Sequence, residues 1–138
     1  MSLCLRVKPI NMNENEIGQI IVNSAVAIHK EIGPGLLESV YEIIMVTELK
    51  NCGLAVERQL IVPIEYKGIK FTEGFRADIV VEHKVIIELK SVETINKSHK
   101  KQLLTYLRLL NCKLGYLLNF GEALMKDGIF RIINGNIQ

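Results

Sequence analysis

The chain has 138 residues, of which 49% are hydrophobic and 23% are charged, and its formal net charge is +2. These values exclude wholesale disorder and allow one domain with one core, because a chain of this length buries roughly two thirds of its unfolded surface. No apolar stretch approaches the ~20 residues of a membrane span, and the first residues are too few for the apolar part of a secretion signal. We therefore expect a cytoplasmic protein without membrane contact, with one domain over residues 1–138 and a flexible or edge segment over residues 1–12.

The charge divides unevenly along the chain. Residues 1–66 carry 5 Lys+Arg against 8 Asp+Glu, whereas residues 67–138 carry 12 against 7. A basic second half suits a polyanionic partner such as nucleic acid. The three cysteines are odd in number and widely spaced, which excludes both a disulfide framework and a CxxC zinc site. We expect all three to be reduced thiols.

Two helices are predicted at the start of the chain. Asn13-Glu14-Asn15-Glu16 is typical of a helix start, and apolar residues at helical spacing continue to about Lys30. Gly33-Pro34-Gly35 ends this helix, and a second helix ends at Asn51-Cys52-Gly53. The apolar residues that predict an amphipathic second helix are Leu36, Leu37, Val40, Tyr41, Ile44, Met45 and Leu49.

The middle of the chain predicts strands, and a third helix follows. We predict that Ser98 caps this helix, which carries Leu103, Leu104, Leu107 and Leu110. A strand, a helix and a further strand in that order make the two strands parallel, so we expect an α/β domain with a mixed sheet. The predicted strands are Ala55–Leu60, Ile61–Tyr66, Ile69–Phe71, a hairpin within residues 75–90, and Leu114–Asn119.

The hairpin places three charged residues on one face. If residues 76–81 and 85–90 pair so that their numbers sum to 166, Asp78 lies opposite Glu88, and Lys90 shares their face. Two opposed carboxylates repel each other, so they require a cation, for which Mg²⁺ or Mn²⁺ fits the hard oxygen ligands. The other face is predicted to be continuously apolar and consists of Ala77, Ile79, Val81, Val85, Ile87 and Leu89.

This group of residues is suited to phosphodiester hydrolysis. Asp78 and Glu88 would bind the metal ion, and Lys90 would orient or deprotonate a water molecule or stabilise the developing charge. A surface salt-bridge cluster is the alternative, and the hairpin alone favours it.

The third helix offers supporting residues. Gln102 and Tyr106 lie one turn apart on one face, where their amide and hydroxyl groups could contact phosphate oxygens or position the lysine. Lys97, Lys100 and Lys101 precede them and are candidate nucleic-acid contacts. Alternatively, Tyr106 is a core aromatic residue and Gln102 is solvated.

Several motifs resemble those of one protein superfamily. Gly35-x-x-Glu38-x-x-Tyr41, preceded by His29-x-x-Ile32-Gly33-Pro34, resembles the signature of the small GxxExxY proteins of the PD-(D/E)xK nuclease superfamily. Asp78, which follows Arg76-Ala77 in place of the proline, and Glu88-Leu89-Lys90 resemble the nuclease motif itself. Gln102-x-x-x-Tyr106 is similar to the helix motif of the RecB-like and lambda-exonuclease-like branch. The resemblance covers about residues 16–134.

The resemblance implies a fold and a set of roles. The fold would be the restriction-endonuclease-like three-layer core, with a central mixed β-sheet flanked by helices. Asp78 and Glu88 would hold Mg²⁺ (or Mn²⁺), and Glu38 would be an accessory metal ligand, although a plain helix-start glutamate is the alternative for Glu38. His29 and Tyr41 would be accessory residues.

Three functional hypotheses follow. The leading one is a Mg²⁺-dependent nuclease acting on nucleic acid, DNA more than RNA, with Asp78, Glu88, Lys90, Gln102 and Tyr106 as catalytic residues. The second is a non-catalytic nucleic-acid-binding or adaptor module on a nuclease fold, which is possible because a fold does not dictate function. The third is a structural homodimer in which the motif residues only pack.

Overall fold

The computed structural model describes residues 11–137. The described residues form three α-helices, seven β-strands and one short 3-10 helix at Met125–Gly128. The helices are α1 (Glu14–Ile32), α2 (Glu38–Asn51) and α3 (Lys97–Leu109). The strands are β1 (Val56–Ile61), β2 (Ile64–Tyr66), β3 (Ile69–Phe71), β4 (Arg76–Val81), β5 (Val85–Lys90), β6 (Leu114–Asn119) and β7 (Ile129–Ile133).

Five of these strands form one mixed sheet. Its strand order is β1-β4-β5-β6-β7, and all neighbours are antiparallel except β5 and β6, which are parallel. Helix α3 makes the crossover between these parallel strands, as a strand-helix-strand unit requires. Strands β2 and β3 form a separate antiparallel hairpin. The predicted mixed sheet is therefore confirmed.

Helices cover both faces of the sheet and create two apolar clusters. The first cluster joins α1 and α2 to Ile79, Val81, Ile87 and Leu89 of β4 and β5. The second cluster joins α3 to Val80 and Ile86 of the same two strands. Successive strand residues point to opposite faces, so each strand serves both clusters. This arrangement of helix, sheet and helix confirms the expected three-layer α/β fold.

Local sequence explains how α1 starts and how closely it packs. The side chain of Asn13 accepts a hydrogen bond from the Glu16 N–H at 2.8 Å, and the Asn13 N–H donates to Glu16 Oε1 at 3.0 Å. This capping box satisfies backbone donors that a helix start leaves free. Gly18 lets α1 approach β6 closely, because a Cβ atom there would overlap the hydroxyl of Tyr116.

Four sequence predictions need correction. Asn96, not Ser98, caps α3: its side chain accepts a hydrogen bond from the His99 N–H, and Ser98 Oγ also donates to it. The predicted strand 61–66 is interrupted at residues 62–63, where Pro63 has no N–H to offer a sheet. Helix α2 is apolar on more than one side, since Leu37, Val40 and Ile43 are exposed. Strand β7 was not predicted.

The ends of the chain and the cysteines need brief comment. Most of the predicted flexible or edge segment lies outside the described residues, but Met12 is buried and its carbonyl oxygen accepts a hydrogen bond from Lys84 Nζ at 2.6 Å. Cys112 is a buried free thiol, whereas Cys52 is disulfide-bonded, so the prediction of reduced cysteines is wrong for Cys52. Between residues 11 and 137, no helix is long and apolar enough to cross a membrane.

Candidate active site

The predicted hairpin register is confirmed. Ile79 pairs with Ile87, Val80 with Ile86 and Val81 with Val85, so each pair of numbers sums to 166. Beyond Ile79 and Ile87, the two strands are joined by hydrogen bonds from backbone to side chain. The Asp78 N–H donates to a Glu88 carboxylate oxygen at 3.3 Å, and the Leu89 N–H donates to Asp78 Oδ2 at 2.9 Å. The two carboxyl groups are thereby held against each other between β4 and β5.

Burial makes this acid pair unusual. Glu88 is only 6% exposed. The pKa of Glu88 is raised to about 10, mainly because the side chain is buried. The hydrogen bond with the Asp78 side chain and the charge of Asp78 raise this pKa further. The hydrogen bond from the Asp78 N–H and the charge of Lys90 lower it. Without a cation, Glu88 therefore keeps its proton at neutral pH. A cation between the two groups would replace that proton.

A third acidic residue, Glu42, is linked to the pair through a glutamine. Gln59 Nε2 donates to Glu42 Oε1 at 2.6 Å and makes a longer contact of 3.4 Å with Asp78 Oδ1. Arg58 Nε and Nη2 both donate to Glu42 Oε2, at 3.1 and 2.7 Å. Glu42 is 6% exposed, so this ion pair is partly shielded from water. The contacts connect α2 to the acid pair through the edge strand β1.

The backbone at Gln59 explains this geometry. Gln59 has a φ of 49°, in the left-handed region that non-glycine residues rarely adopt. The ladder between β1 and β4 runs from Arg58↔Ile79 to Leu60↔Ala77 and omits the step between Gln59 and Asp78. Ala77 beyond this step lies in the second cluster, so the prediction that it shares the face of Ile79 is wrong.

Glu42 was missed by the sequence analysis, which selected Glu38 instead. Glu38 is the first residue of α2 and is exposed, and no hydrogen bond or ion pair within residues 11–137 joins it to Asp78 or Glu88. Glu42 lies one turn later and is buried, as are Tyr41 and Met45 of the same helix. The available signal was an acidic residue inside the apolar spacing of α2, since a charged residue is rarely fully buried without a partner.

Lys90 lies at the end of β5, two residues beyond Glu88, and its charge lowers the pKa of Glu88. The chain after Lys90 is held by Asn119, a fully buried residue that the sequence analysis did not select. Asn119 Oδ1 accepts hydrogen bonds from the N–H groups of Val92 and Gly121, each at 3.0 Å, and its Nδ2 donates to the Val92 carbonyl at 2.9 Å. A Cβ atom at Gly121 would overlap Val92, so only glycine permits this approach.

Helix α3 brings Tyr106 close to the acids. Tyr106 is 4% exposed, and its pKa is raised by burial and then by the charges of Glu88 and Asp78. Gln102, one turn earlier, is exposed and lines a groove together with Tyr106. The predicted nucleic-acid contacts Lys97, Lys100 and Lys101 are exposed on the same helix.

Most of the chain matches the sequence model of one protein family. A family model described as the PD-(D/E)XK nuclease superfamily matches residues 15–132. The chain belongs to the PD-(D/E)XK nuclease superfamily. No curated protein and no solved structure matches it. The assignment of Asp78 and of Glu88-Leu89-Lys90 to the motif of this superfamily stays a prediction.

PD-(D/E)XK nucleases generally use a divalent metal ion. The carboxylate oxygens of Asp78 and Glu88 are suitable ligands for such an ion. Within residues 11–137, no group of three His, Cys, Asp or Glu side chains is arranged to hold a metal ion. The predicted set of Asp78, Glu88 and Glu38 is therefore not assembled. However, Mg²⁺ usually takes only one or two protein carboxylates and keeps several waters. The buried Glu88 and the half-buried Asp78 provide two such ligands.

His29 and Tyr41, the two predicted accessory residues, both lie beside the ring of Phe120. The Tyr41 ring stacks on Phe120 with centroids 4.3 Å apart, and His29 lies beyond it at 6.2 Å. Tyr41 Oη donates to the Gly33 carbonyl at 2.6 Å and accepts from the Leu36 N–H at 3.3 Å. His29 Nε2 is 2.7 Å from the carbonyl oxygen of Glu122. In this PD-(D/E)XK chain, both residues hold the Gly33–Leu36 loop and the end of β6 together.

Proposed function

We propose that this protein is a metal-dependent nuclease that hydrolyses phosphodiester bonds of nucleic acid. The observation that carries the proposal is the contact between the carboxyl groups of the half-buried Asp78 and the buried Glu88, with Lys90 two residues beyond Glu88 on the same strand. Burying an acid beside a second acid is costly unless the two serve a ligand of opposite charge. Membership of a nuclease superfamily supplies the reaction class.

The residues of the chain divide the work. Asp78 and Glu88 would hold Mg²⁺ or Mn²⁺, which when bound would neutralise phosphate charge and lower the pKa of a bound water. Lys90 would orient or deprotonate the attacking water. Gln102 and Tyr106 would hold phosphate oxygens or position Lys90. Glu42, through Gln59, would keep the Asp78 carboxylate oriented, because partners of metal ligands restrict their geometry.

Finer assignments also belong to this proposal. We assign the chain to the GxxExxY group of the superfamily, on the basis of the Gly35, Glu38 and Tyr41 signature. His29 and Tyr41 act there as accessory residues that shape the loop before α2. Glu38 is exposed at the start of α2, where a side-chain rearrangement would have to bring it to the metal. DNA is preferred over RNA as the substrate, and residues 1–138 form one domain.

The first experiment measures metal binding. The melting temperature is recorded in EDTA and then with millimolar Mg²⁺ or Mn²⁺, for the wild type, for Asp78→Ala and for the matched exposed control Asp127→Ala. A ligand at 100 times its dissociation constant adds ~2.7 kcal/mol, which corresponds to a rise of about 5–15 °C. We expect this rise in the wild type and in Asp127→Ala but not in Asp78→Ala. An unchanged wild-type melting temperature would contradict the metal site.

The second experiment measures cleavage. Single- and double-stranded DNA and RNA are incubated with metal and with the wild type or Lys90→Ala. We expect metal-dependent cleavage by the wild type and none by Lys90→Ala, which should still bind metal. Cleavage that persists in Lys90→Ala would remove the role given to this lysine.

A non-catalytic nucleic-acid-binding or adaptor module is the second candidate, either as a monomer or as a homodimer. The observation that favours it is the lack of a three-ligand metal group within residues 11–137. The same two experiments separate the candidates. A module would bind nucleic acid without cleaving it in any metal, and sedimentation would show whether it dimerises.

A further inference from the structure

The exposed aromatic residues of this protein are confined to one short segment. The chain contains 4 Tyr and 4 Phe, all within the described residues. Tyr66, Phe71 and Phe75 are 62%, 43% and 37% exposed, whereas the other aromatic side chains are buried or half-buried. All exposed Tyr and Phe rings therefore lie between residues 66 and 75, immediately before β4 and the acid pair.

The β2–β3 hairpin has one wholly apolar face. Ile64 pairs with Phe71 and Tyr66 with Ile69, while Glu65 pairs with Lys70. Since strand residues alternate between faces, the first two pairs share one face and the charged pair occupies the other. This apolar face has exposed side chains and thus lacks a covering element within residues 11–137. We call it the aromatic face.

A groove connects the aromatic face to the active site. It has a volume of about 330 Å³ and lies between the hairpin and α3, lined by Ile64, Phe75, Lys101, Gln102, Tyr106 and Leu109 among others. The ring of Phe75 packs edge-on against Tyr106, with centroids 5.9 Å apart. Ile64 belongs to both the groove and the aromatic face. The groove, which we call the α3 groove, therefore runs from Tyr106 towards the hairpin.

The charged residue that lines the α3 groove, Lys101, is basic. Helix α3 also contains Lys97 and Arg108 and has no acidic residue, whereas Lys100 lies over the Phe130 ring of β7, with its Nζ 4.5 Å from the ring centroid. On the hairpin, Lys67 Nζ lies 5.4 Å from the centroid of the Tyr66 ring. Basic side chains beside exposed aromatic rings are the combination with which proteins bind single-stranded nucleic acid: bases stack on the rings and phosphates meet the cations. A duplex would leave the apolar surface unused, because its bases are already paired and stacked.

From this we infer the substrate class, an inference that rests on the proposed nuclease function. We propose that the α3 groove takes the base of an unpaired nucleotide next to the scissile phosphate, and that the aromatic face stacks against the following bases. The volume is at the small end of the range for ligand pockets, which suits one ring system. The substrate is then single-stranded nucleic acid or a frayed end.

The test measures binding without cleavage. In the Lys90→Ala background with Mg²⁺, fluorescence anisotropy compares a labelled 12-nucleotide single strand with the blunt duplex of the same sequence. We expect the single strand to bind at least about fivefold more tightly than the duplex. Replacing Phe75 by Ala should weaken single-strand binding by about fivefold or more, because stacking contributes roughly 1–3 kcal/mol per base. Duplex binding should not change.

Matched variants exclude simpler explanations. Phe75→Tyr should retain single-strand affinity and Phe75→Leu should lose it, which separates stacking from apolar burial. Tyr66→Ala, which lies on the hairpin and away from Tyr106, should also weaken single-strand binding. Ile133→Ala removes an apolar side chain of comparable exposure from β7 and should change neither affinity. Equal binding of single strand and duplex, or full affinity in Phe75→Leu, would overturn the proposal.

Failure of this inference is distinguishable from failure of the nuclease function. If the wild type cleaves single strand and duplex at equal rates and Phe75→Ala does so too, the groove is not a base site but the nuclease function stands. If the wild type cleaves nothing and single-strand binding still depends on Phe75 and Tyr66, the base-binding groove stands and the nuclease function does not.

Discussion

Strand β5 contributes to both faces of the sheet, and its residues on the two faces differ in polarity. Towards α1 and α2, Ile87 and Leu89 pack in the first apolar cluster. In this cluster the Tyr41 hydroxyl forms hydrogen bonds with two backbone groups. On the alternate face, Glu88 is buried beside a second acid, and its pKa is strongly raised. The first face has the features of a stabilising core. The second has the features of a site kept at a cost in stability.

In this fold, the residues that stabilise the core and the residues proposed for chemistry lie on opposite faces of the same strand. Successive side chains of a strand point to opposite faces, so adjacent residues can have different roles and different neighbours. Loss of an apolar residue should therefore affect unfolding, and loss of an acidic one should affect metal binding. Four predictions follow this division, from the largest expected effect to the smallest.

Ile87→Ala should reduce the free energy of unfolding by about 2–5 kcal/mol, because it leaves a cavity in a fully buried position. Urea denaturation measures this loss. Cleavage per folded molecule should stay near the wild-type value. A large loss of specific activity with a normal folded fraction would show that the two faces are not independent.

Glu42→Ala should weaken metal binding about 10–100-fold while the protein stays folded, since Gln59 would lose its 2.6 Å contact and Asp78 its indirect support. Titration calorimetry with Mn²⁺ measures the affinity. Glu38→Ala is the control, because Glu38 is an acidic residue of the same helix that is exposed. If Glu38→Ala lowers the affinity more than Glu42→Ala, the assignment of the two glutamates should be reversed.

The metal-free wild type should lose stability as pH rises. The pKa of Glu88 is about 10 in the folded protein against an ordinary value of 4.5, so the folded state binds more protons than the unfolded state between these values. Stability is then greatest at the acidic end and falls with a slope of up to about 1.4 kcal/mol per pH unit. Urea denaturation in EDTA from pH 6 to 9 tests this. Glu88→Gln should show a flatter profile and no stabilisation by metal; parallel profiles would contradict the prediction.

Tyr41→Phe should cost about 1–3 kcal/mol of stability, because its ring stays in place while the Gly33 carbonyl and the Leu36 N–H lose a partner. Thermal and urea unfolding measure the change. We expect cleavage per folded molecule to be retained. A specific loss of cleavage in this variant would make Tyr41 part of the chemistry and not only of the loop.

Much of the fold could be predicted because it depends on neighbours in sequence. The alternation in residues 76–90 gave the hairpin and its register, and Asn13 with Glu16 gave the start of α1. The Ser98 cap was wrong because Asn96, two residues earlier, caps the helix by accepting from the His99 N–H, so the helix already begins before Ser98. Such local choices differ by small free energies, so sequence alone resolves them poorly.

The candidate site was predictable only in part. Asp78, Glu88 and Lys90 follow from strand alternation, and Tyr106 lies near the acids as its spacing with Gln102 suggested. Glu42 was not predicted, because its link to Asp78 passes through Gln59, 17 residues away in the chain. Asn119 was missed for the same reason. The proposed metal, catalytic and DNA-binding roles themselves stay predictions.

Most of the elements and the pairing of the two acids could be predicted from sequence alone, since helix caps, turn residues and the two-residue strand period act over a few residues. The sequence also determined the superfamily, through motifs in a particular order. The folded structure was needed to show that Glu42, and not Glu38, is linked to the acid pair through Gln59. It was also needed to show that Phe75 lines a groove beside Tyr106. Those outcomes depend on contacts between distant segments, whose geometry is set by how the two helical layers pack on the sheet.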